Sequence, residues 1–247
     1  MRTQILGVPV DIVTMETALN FVKEYVNTPG NPPGFILAVN PEKVMCLRED
    51  AVLLSFFEKA ALLIPDGIGV VKALKLSGHK NVARVPGADL MQNICKQAPA
   101  ENYRIFIYGA TEDVNSAACA ELERRNPGIQ IVGRSNGYVK TEEMDSLIEK
   151  INKSGANILF LALGSPGQER WMEKYASRLT SVKICQGIGG TLDTIIGKVK
   201  RAPLAWQKLN LEWLYRLLKQ PKRIMRQTNL VRFLYLILVK KFTGKKN

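Results

Sequence analysis

One acid stands alone in the run ALLIPDGIGVV at residues 61–71. A carboxylate stranded in an apolar interior costs several kcal/mol and protonates rather than staying charged, so Asp66 is expected at the end of a strand. There a parallel sheet opens onto a ligand crevice, and the Pro65-Asp66-Gly67 turn chemistry would release the acid into it. A second use stays open, because aspartate ahead of an apolar helical segment is a common N-cap and Asp66 could serve the helix that follows. Three glycine-bearing loops, YGATED (108–113), LGSPGQER (163–170) and GIGGTLD (187–193), each follow a β-rich run. Their backbone N–H groups, and the helix starts behind them, suit phosphate oxygens. Singly each is weak, since glycine loops end strands in many proteins that bind nothing; three on one sheet edge carry more. Cations that could neutralise a phosphate leaving group are Arg84 in ARVPGADL and Lys198, Lys200 and Arg201 in GKVKRAP.

The absences narrow the chemistry further. There is no D-x-D pair to hold a divalent metal on a nucleotide diphosphate, no Walker A or G-x-G-x-x-G loop and no G-x-S-x-G elbow. The single histidine, His79, lies in the polar stretch SGHKN and is expected in solvent. Cys46, Cys95, Cys119 and Cys185 are scattered without zinc-site spacing and read as free thiols of a reducing cytosol. No metal and no cofactor are expected. The N-terminus reaches Pro9 and Asp11 before any apolar run of signal-peptide length, so no export signal is expected.

The elements that must position these residues alternate. FILAV (35–39), ALLI (61–64), YRIFIYG (103–109), IQIVG (129–133), NILFLALG (157–164) and VKICQGIG (182–189) are short β-rich runs ending in turn residues. Helices are predicted over 14–26, over 111–125 with Thr111 as N-cap, and over 141–155 with Thr141 as cap and Gly155 as terminator. Such alternation predicts an α/β fold, a mostly parallel Rossmann-like sheet with helices on both faces. A chain of 247 residues, 46% hydrophobic, can bury one substantial core.

Charge divides the chain. Residues 1–193 hold 21 Lys and Arg against 21 Asp and Glu, whereas residues 194–247 hold 14 Lys and Arg against Glu212 alone. Helical apolar periodicity runs through Leu204, Leu211, Leu214, Tyr215 and Leu218, breaks at Pro221, and resumes from Leu230 to Val239, apolar except for Arg232. Ten residues cannot span a bilayer, which needs roughly 20. Flanked by Lys240, Lys241, Lys245 and Lys246, the segment can lie among anionic headgroups, where each juxtamembrane cation contributes about 1 kcal/mol. The tail therefore reads as a peripheral membrane anchor, with docking on its own globular part, a homo-oligomer contact and nucleic-acid binding as alternatives. Nucleic acid is the weakest of these, because the charges accompany a long apolar stripe and no recognisable nucleic-acid module.

Seven motifs in order, NPEKVM (40–45), PDGIGVV (65–71), RVPGADL (84–90), GYV (137–139), LALGSPGQERW (161–171), GIGGTLD (187–193) and GKVKRAPLAWQKLNLEWLYRLLKQPKR (197–223), resemble the WecG/TagA/CpsF glycosyltransferases. The resemblance covers the chain from near residue 5 to near residue 226. It implies a metal-independent, inverting enzyme that moves a sugar from a UDP donor to a polyprenyl-diphosphate-linked N-acetylglucosamine at the cytoplasmic face of the membrane. The same resemblance implies an α/β catalytic domain over 1–195 and a basic helical appendage over 196–247 that completes the active site and touches the membrane. Asp66 matches the family's proposed general base, and Asn40 and Gln168 match positions facing the same pocket. Tyr138, Gly187, Gly189, Gly190 and Asp193 are candidates for uridine and diphosphate contacts, and Arg84 for a phosphate or acceptor contact. Arg216, Arg223 and Arg226 would sit on the lipid diphosphate or donor pyrophosphate, since guanidinium groups bind phosphate bidentately. The threonine that the family often places shortly before the asparagine is absent, with Leu37, Ala38 and Val39 in those positions.

Within the family, a short chain without a fused second domain and with a basic tail resembles the teichoic acid branch, whose donor sugar is N-acetylmannosamine. Two other outcomes are carried beside it: transfer of another UDP-sugar, such as N-acetylmannosaminuronic or glucuronic acid, and a non-catalytic nucleotide-sugar-binding protein on the membrane.

Overall fold

A computed structural model of the chain describes residues 1–200, 202–203, 205–206, 214–215 and 224–243, the side chains of the last stretch over 228–239. It opens with an antiparallel hairpin, β1 (Arg2–Ile5) and β2 (Val8–Asp11). Both turn residues, Leu6 and Gly7, have positive φ, 51° and 82°, the geometry that matches the twist of a two-residue hairpin. Asp11 is buried and takes a fork of hydrogen bonds from Arg2, Nε to Oδ1 at 3.0 Å and Nη2 to Oδ2 at 2.9 Å, while Leu63 N–H donates to Oδ2 at 2.8 Å. That last bond ties the hairpin to the strand that leads to Asp66.

The main sheet has six parallel strands in the order β4-β3-β8-β7-β5-β6. They are β3 (Gly34–Val39), β4 (Leu62–Pro65), β5 (Arg104–Gly109), β6 (Gln130–Ser135), β7 (Ile158–Ala162) and β8 (Ile184–Gly187). The six predicted runs are these strands, displaced by a residue or two. Side chains alternate between two apolar layers. Leu37, Val39 and Leu63 lie in the layer shared with α2 (Pro41–Glu49), α3 (Ala51–Glu58), α4 (Ile68–Leu76), α7 (Met144–Ser154) and α8 (Gly167–Tyr175). Ile36, Leu62 and Ile64 lie in the layer shared with α1 (Met15–Asn27), α5 (Gly87–Glu101), α6 (Glu112–Arg125) and α9 (Thr191–Ile195). Helices thus cover both faces, as strands buried on both sides require.

Thr141 is not the cap of α7. It begins a single 3₁₀ turn, Thr141–Glu143, whose entry is closed by Lys140 N–H donating to Glu143 Oε2 at 3.2 Å, and α7 starts at Met144. Gly155 ends that helix in the left-handed region, φ 64°, as expected. Thr111 occupies the N-cap position of α6 without a side-chain capping bond.

The tail's last helix, α10 (Ile224–Thr243), docks on α2 and α4. Phe233 is fully buried in the core, and Leu236 and Ile237 pack against it. Gly69 permits this approach, since a Cβ there would stand 2.9 Å from Pro41 and 3.5 Å from Phe233. Arg232 pairs with Glu49 at the end of α2. On the other side of α10 Val231, Leu234, Tyr235, Leu238 and Val239 are exposed at helical spacing.

Candidate active site

All six main-sheet strands point the same way, so every loop after a strand meets at one edge. In sheet order that edge presents Asp66, Asn40, Gly187–Gly190, the Leu163–Gln168 turn, Ala110 and the Asn136–Tyr138 turn. The strand order reverses about β3 and β8, the place where doubly wound sheets open a ligand crevice.

Val39 and Pro65 are partners in register, so Asn40 and Asp66 follow as neighbours, joined by Asp66 N–H donating to Val39 O at 3.0 Å. Asp66 is partly exposed, and it does not cap α4, whose N-cap is Gly67 with no side-chain bond. Leu62 and Ile64 face the α5 layer, and the carboxylate continues toward it: Gly87 N–H, in the first turn of α5, donates to Asp66 Oδ2 at 3.1 Å. An acid at that turn also meets the positive end of the helix dipole. Arg84 Nη2 stands 3.9 Å from Oδ1, within ion-pair range and beyond a hydrogen bond. Lone placement in an apolar run identified Asp66, yet its partners come from a segment about twenty residues on.

Asn40 is the N-cap of α2. Its Oδ1 accepts from Lys43 N–H at 2.8 Å, with Pro41 at the first helical position, which leaves its amide N–H donors for other partners. Gln168 is buried, and its Oε1 accepts from Gly189 N–H at 3.0 Å. A Cβ on Gly187 would lie 2.3 Å from Gln168 Nε2, so the glycine is what lets the amide slide beneath the loop. Gly189 has φ +51° and Gly190 caps α9. Asp193 lies on α9 with Lys198 Nζ at 4.0 Å from its Oδ1. The structure brings together Asp66, Asn40, Arg84, Gln168 and the Gly187–Gly190 loop.

It sets Tyr138 apart. That residue follows β6, at the opposite edge of the sheet from β4, on a turn that folds back over β5 through Gly137 N–H to Ala110 O at 2.8 Å, and Tyr138 is 76% exposed. Lys200 is exposed at the end of the described main body, and His79 lies half-buried in the turn after α4. Arg201, Arg216 and Arg223 lie outside the described residues, as do Lys245 and Lys246 and the side chains of Arg226, Lys240 and Lys241.

Two features were not readable from sequence. Gln186, buried on β8, donates through Nε2 to Gly87 O at 2.8 Å, so a central strand supports the same Gly87 that holds Asp66. Lys43 and Glu169 form a buried ion pair at 2.9 Å. In sequence the members of each pair are ordinary residues, far apart, without shared spacing. Among the described residues no group of three or more His, Cys, Asp and Glu side chains comes together that could hold a metal ion, and no helix is long and apolar enough to cross a membrane.

A carboxylate, amides and glycine loops gathered at the switch point of a doubly wound sheet form an edge suited to a polar ligand. The chain belongs to the WecG/TagA/CpsF glycosyl transferase family, whose model matches residues 3–247. Membership makes it a glycosyltransferase of cell-surface polysaccharide synthesis and implies a nucleotide-sugar donor and a lipid-linked acceptor.

Proposed function

We propose that the enzyme transfers N-acetylmannosamine from UDP to a polyprenyl-diphosphate-linked N-acetylglucosamine, with inversion and without a metal, in the teichoic acid branch of the family. The observation that carries this reading is Asp66, held at the mouth of the crevice by Gly87 N–H and flanked by Arg84 and Asn40. Its carboxylate removes the proton from the acceptor hydroxyl as that oxygen attacks the anomeric carbon from the face opposite UDP. A single carboxylate is enough, because inversion needs no covalent glycosyl-enzyme. Asn40 and Gln168 hold sugar hydroxyls or the N-acetyl group. Arg84, Arg216, Arg223 and Arg226, beside the Gly187–Gly190 loop, balance the diphosphate charge that develops on the leaving group. Tyr138 and Asp193 contact the uridine side of the donor.

The exposed apolar stripe of α10, opposite the side that docks on the core, rests on the inner face of the membrane and brings the lipid acceptor to the sheet edge. UDP release from the purified protein tests the reaction, using UDP-N-acetylmannosamine and a short-chain lipid-diphosphate N-acetylglucosamine, with and without EDTA. Acceptor-dependent release that survives EDTA supports the reading. Release with another UDP-sugar alone moves the donor assignment, and no release across a donor panel leaves a nucleotide-sugar-binding protein.

A further inference from the structure

Glu169 is 3% exposed, and its side-chain hydrogen bonds come from α2 and from the turn before its helix. Its Oε1 accepts from Lys43 Nζ at 2.9 Å and from Ser165 Oγ at 3.0 Å, and Lys43 Nζ also contacts Ser165 Oγ. The Lys43 ammonium lies 5.4 Å from the centroid of the Phe57 ring. Glu169 Oε2 has no hydrogen-bond partner among the described residues. As a stability device this cluster is poor. Burying two charges costs desolvation that their attraction only partly returns, and a half-satisfied carboxylate adds to the cost.

What the pair does hold is geometry. Lys43 is the residue whose backbone N–H takes the Asn40 side chain, and Glu169 follows Gln168, which takes Gly189 N–H. One ion pair therefore joins the end of β3 to the turn after β7, and through Gln168 to the loop after β8. These are three adjacent strands of the sheet. We propose that Lys43 and Glu169 are a positioning pair that fixes Asn40 and Gln168 relative to each other across the crevice. That Asn40 and Gln168 then hold the donor sugar rests on the glycosyltransfer reading; how they are held does not.

The test replaces both charges by side chains of similar length, Lys43→Met with Glu169→Met, in the full-length protein. Apolar replacement of a buried pair leaves stability close to wild type, so the thermal midpoint is expected to stay within about 3 °C. Amide hydrogen exchange at Gly189 and Lys43 is expected to rise about tenfold, because Gln168 and the α2 cap lose their common anchor. Donor KM is expected to rise about fivefold with kcat within about twofold of wild type. Unchanged exchange at both amides overturns the proposal, whatever the kinetics show. Wild-type protein without UDP-sugar turnover overturns the reaction assignment instead and leaves the exchange result to decide the pair. Should the double variant fail to fold, Lys43→Arg keeps the charge but not the compact ammonium. It is expected to raise the same exchange rates about threefold, and wild-type exchange in it also overturns the proposal.

Discussion

At the β4–β3–β8 end of the sheet edge each candidate side chain is held by a partner distant in sequence: Asp66 by Gly87, Gln168 by Gly189, and the Asn40 turn through Lys43 to Glu169. At the β5–β6 end it is the backbone of the turn that is anchored. Tyr138 N–H donates to Asn136 Oδ1 at 2.9 Å and Gly137 N–H to Ala110 O at 2.8 Å, while the Tyr138 side chain is exposed. The first end is preorganised, as a group must be if it is to act in a transition state without reorganising. The second can adapt to a ligand as it arrives, which suits recognition of the part of the donor that does not react.

The comparison predicts unequal effects of substitution. Asp66→Asn should leave the fold intact and lower turnover by about a hundredfold or more; near-normal acceptor-dependent UDP release from the folded variant would refute its role. Gly187→Ala forces a Cβ into Gln168, and overpacking of this kind costs about 1–3 kcal/mol, so melting should fall by several degrees and turnover by about tenfold. Replacing Leu234 and Leu238 together by Ser removes exposed apolar surface from α10 while sparing Phe233. Partition onto anionic liposomes should drop at least about tenfold with soluble-substrate kinetics and melting unchanged, since only about half of each leucine is exposed for a membrane to cover and full burial of one is worth roughly 1.5–3 kcal/mol. Loss of self-association in a sedimentation run, with liposome binding intact, would turn the stripe into a subunit contact. Tyr138→Ala should raise donor KM no more than about threefold with no change in stability, since an exposed ring has little packing to lose. A hundredfold effect there would erase the difference between the two ends.

Burial sets the smallest effect. The Cys95 thiol is pushed up to about 12 by burial and then by Cys119, and Cys119 to about 11 chiefly by burial. Cys185 is raised by burial as well. A raised thiol pKa leaves the reactive thiolate scarce below it. At pH 8 a maleimide should therefore label one site in the native protein, exposed Cys46, and Cys46→Ser should abolish it.

Much of this fold was legible because parallel strands buried on both faces read as unbroken apolar runs ended by turn residues. The same property hid the strand order: a run apolar on both sides carries no register, and nothing in VKICQGIG says that β8 lies between β3 and β7. The opening hairpin escaped because its turn is Leu-Gly and its second strand holds Pro9, neither a hairpin signal. Helix α5 contains Pro99, which argues against a helix unless tertiary packing overrides it. Asp66 was conspicuous as the one acid in its run. Gly87 was not, since what it contributes is a backbone N–H, and every residue but proline has one. The resemblance puts Gln168 on the pocket, and the structure adds that its oxygen supports Gly189. Lys43 and Glu169 carry no sign in the sequence that the topology brings them together.

The place of β8 has a consequence for how the molecule is made. The main-sheet strands that precede it form two separate ribbons, β4-β3 and β7-β5-β6, which pair with each other only through β8. A ribosome delivers residues 184–187 after both ribbons, and the sheet closes only when this strand slips between them. The crevice is therefore absent from the nascent chain until late in synthesis. Ribosome-bound intermediates shorter than this carry two unpaired strand edges, the feature that chaperones shield and that drives edge-to-edge aggregation.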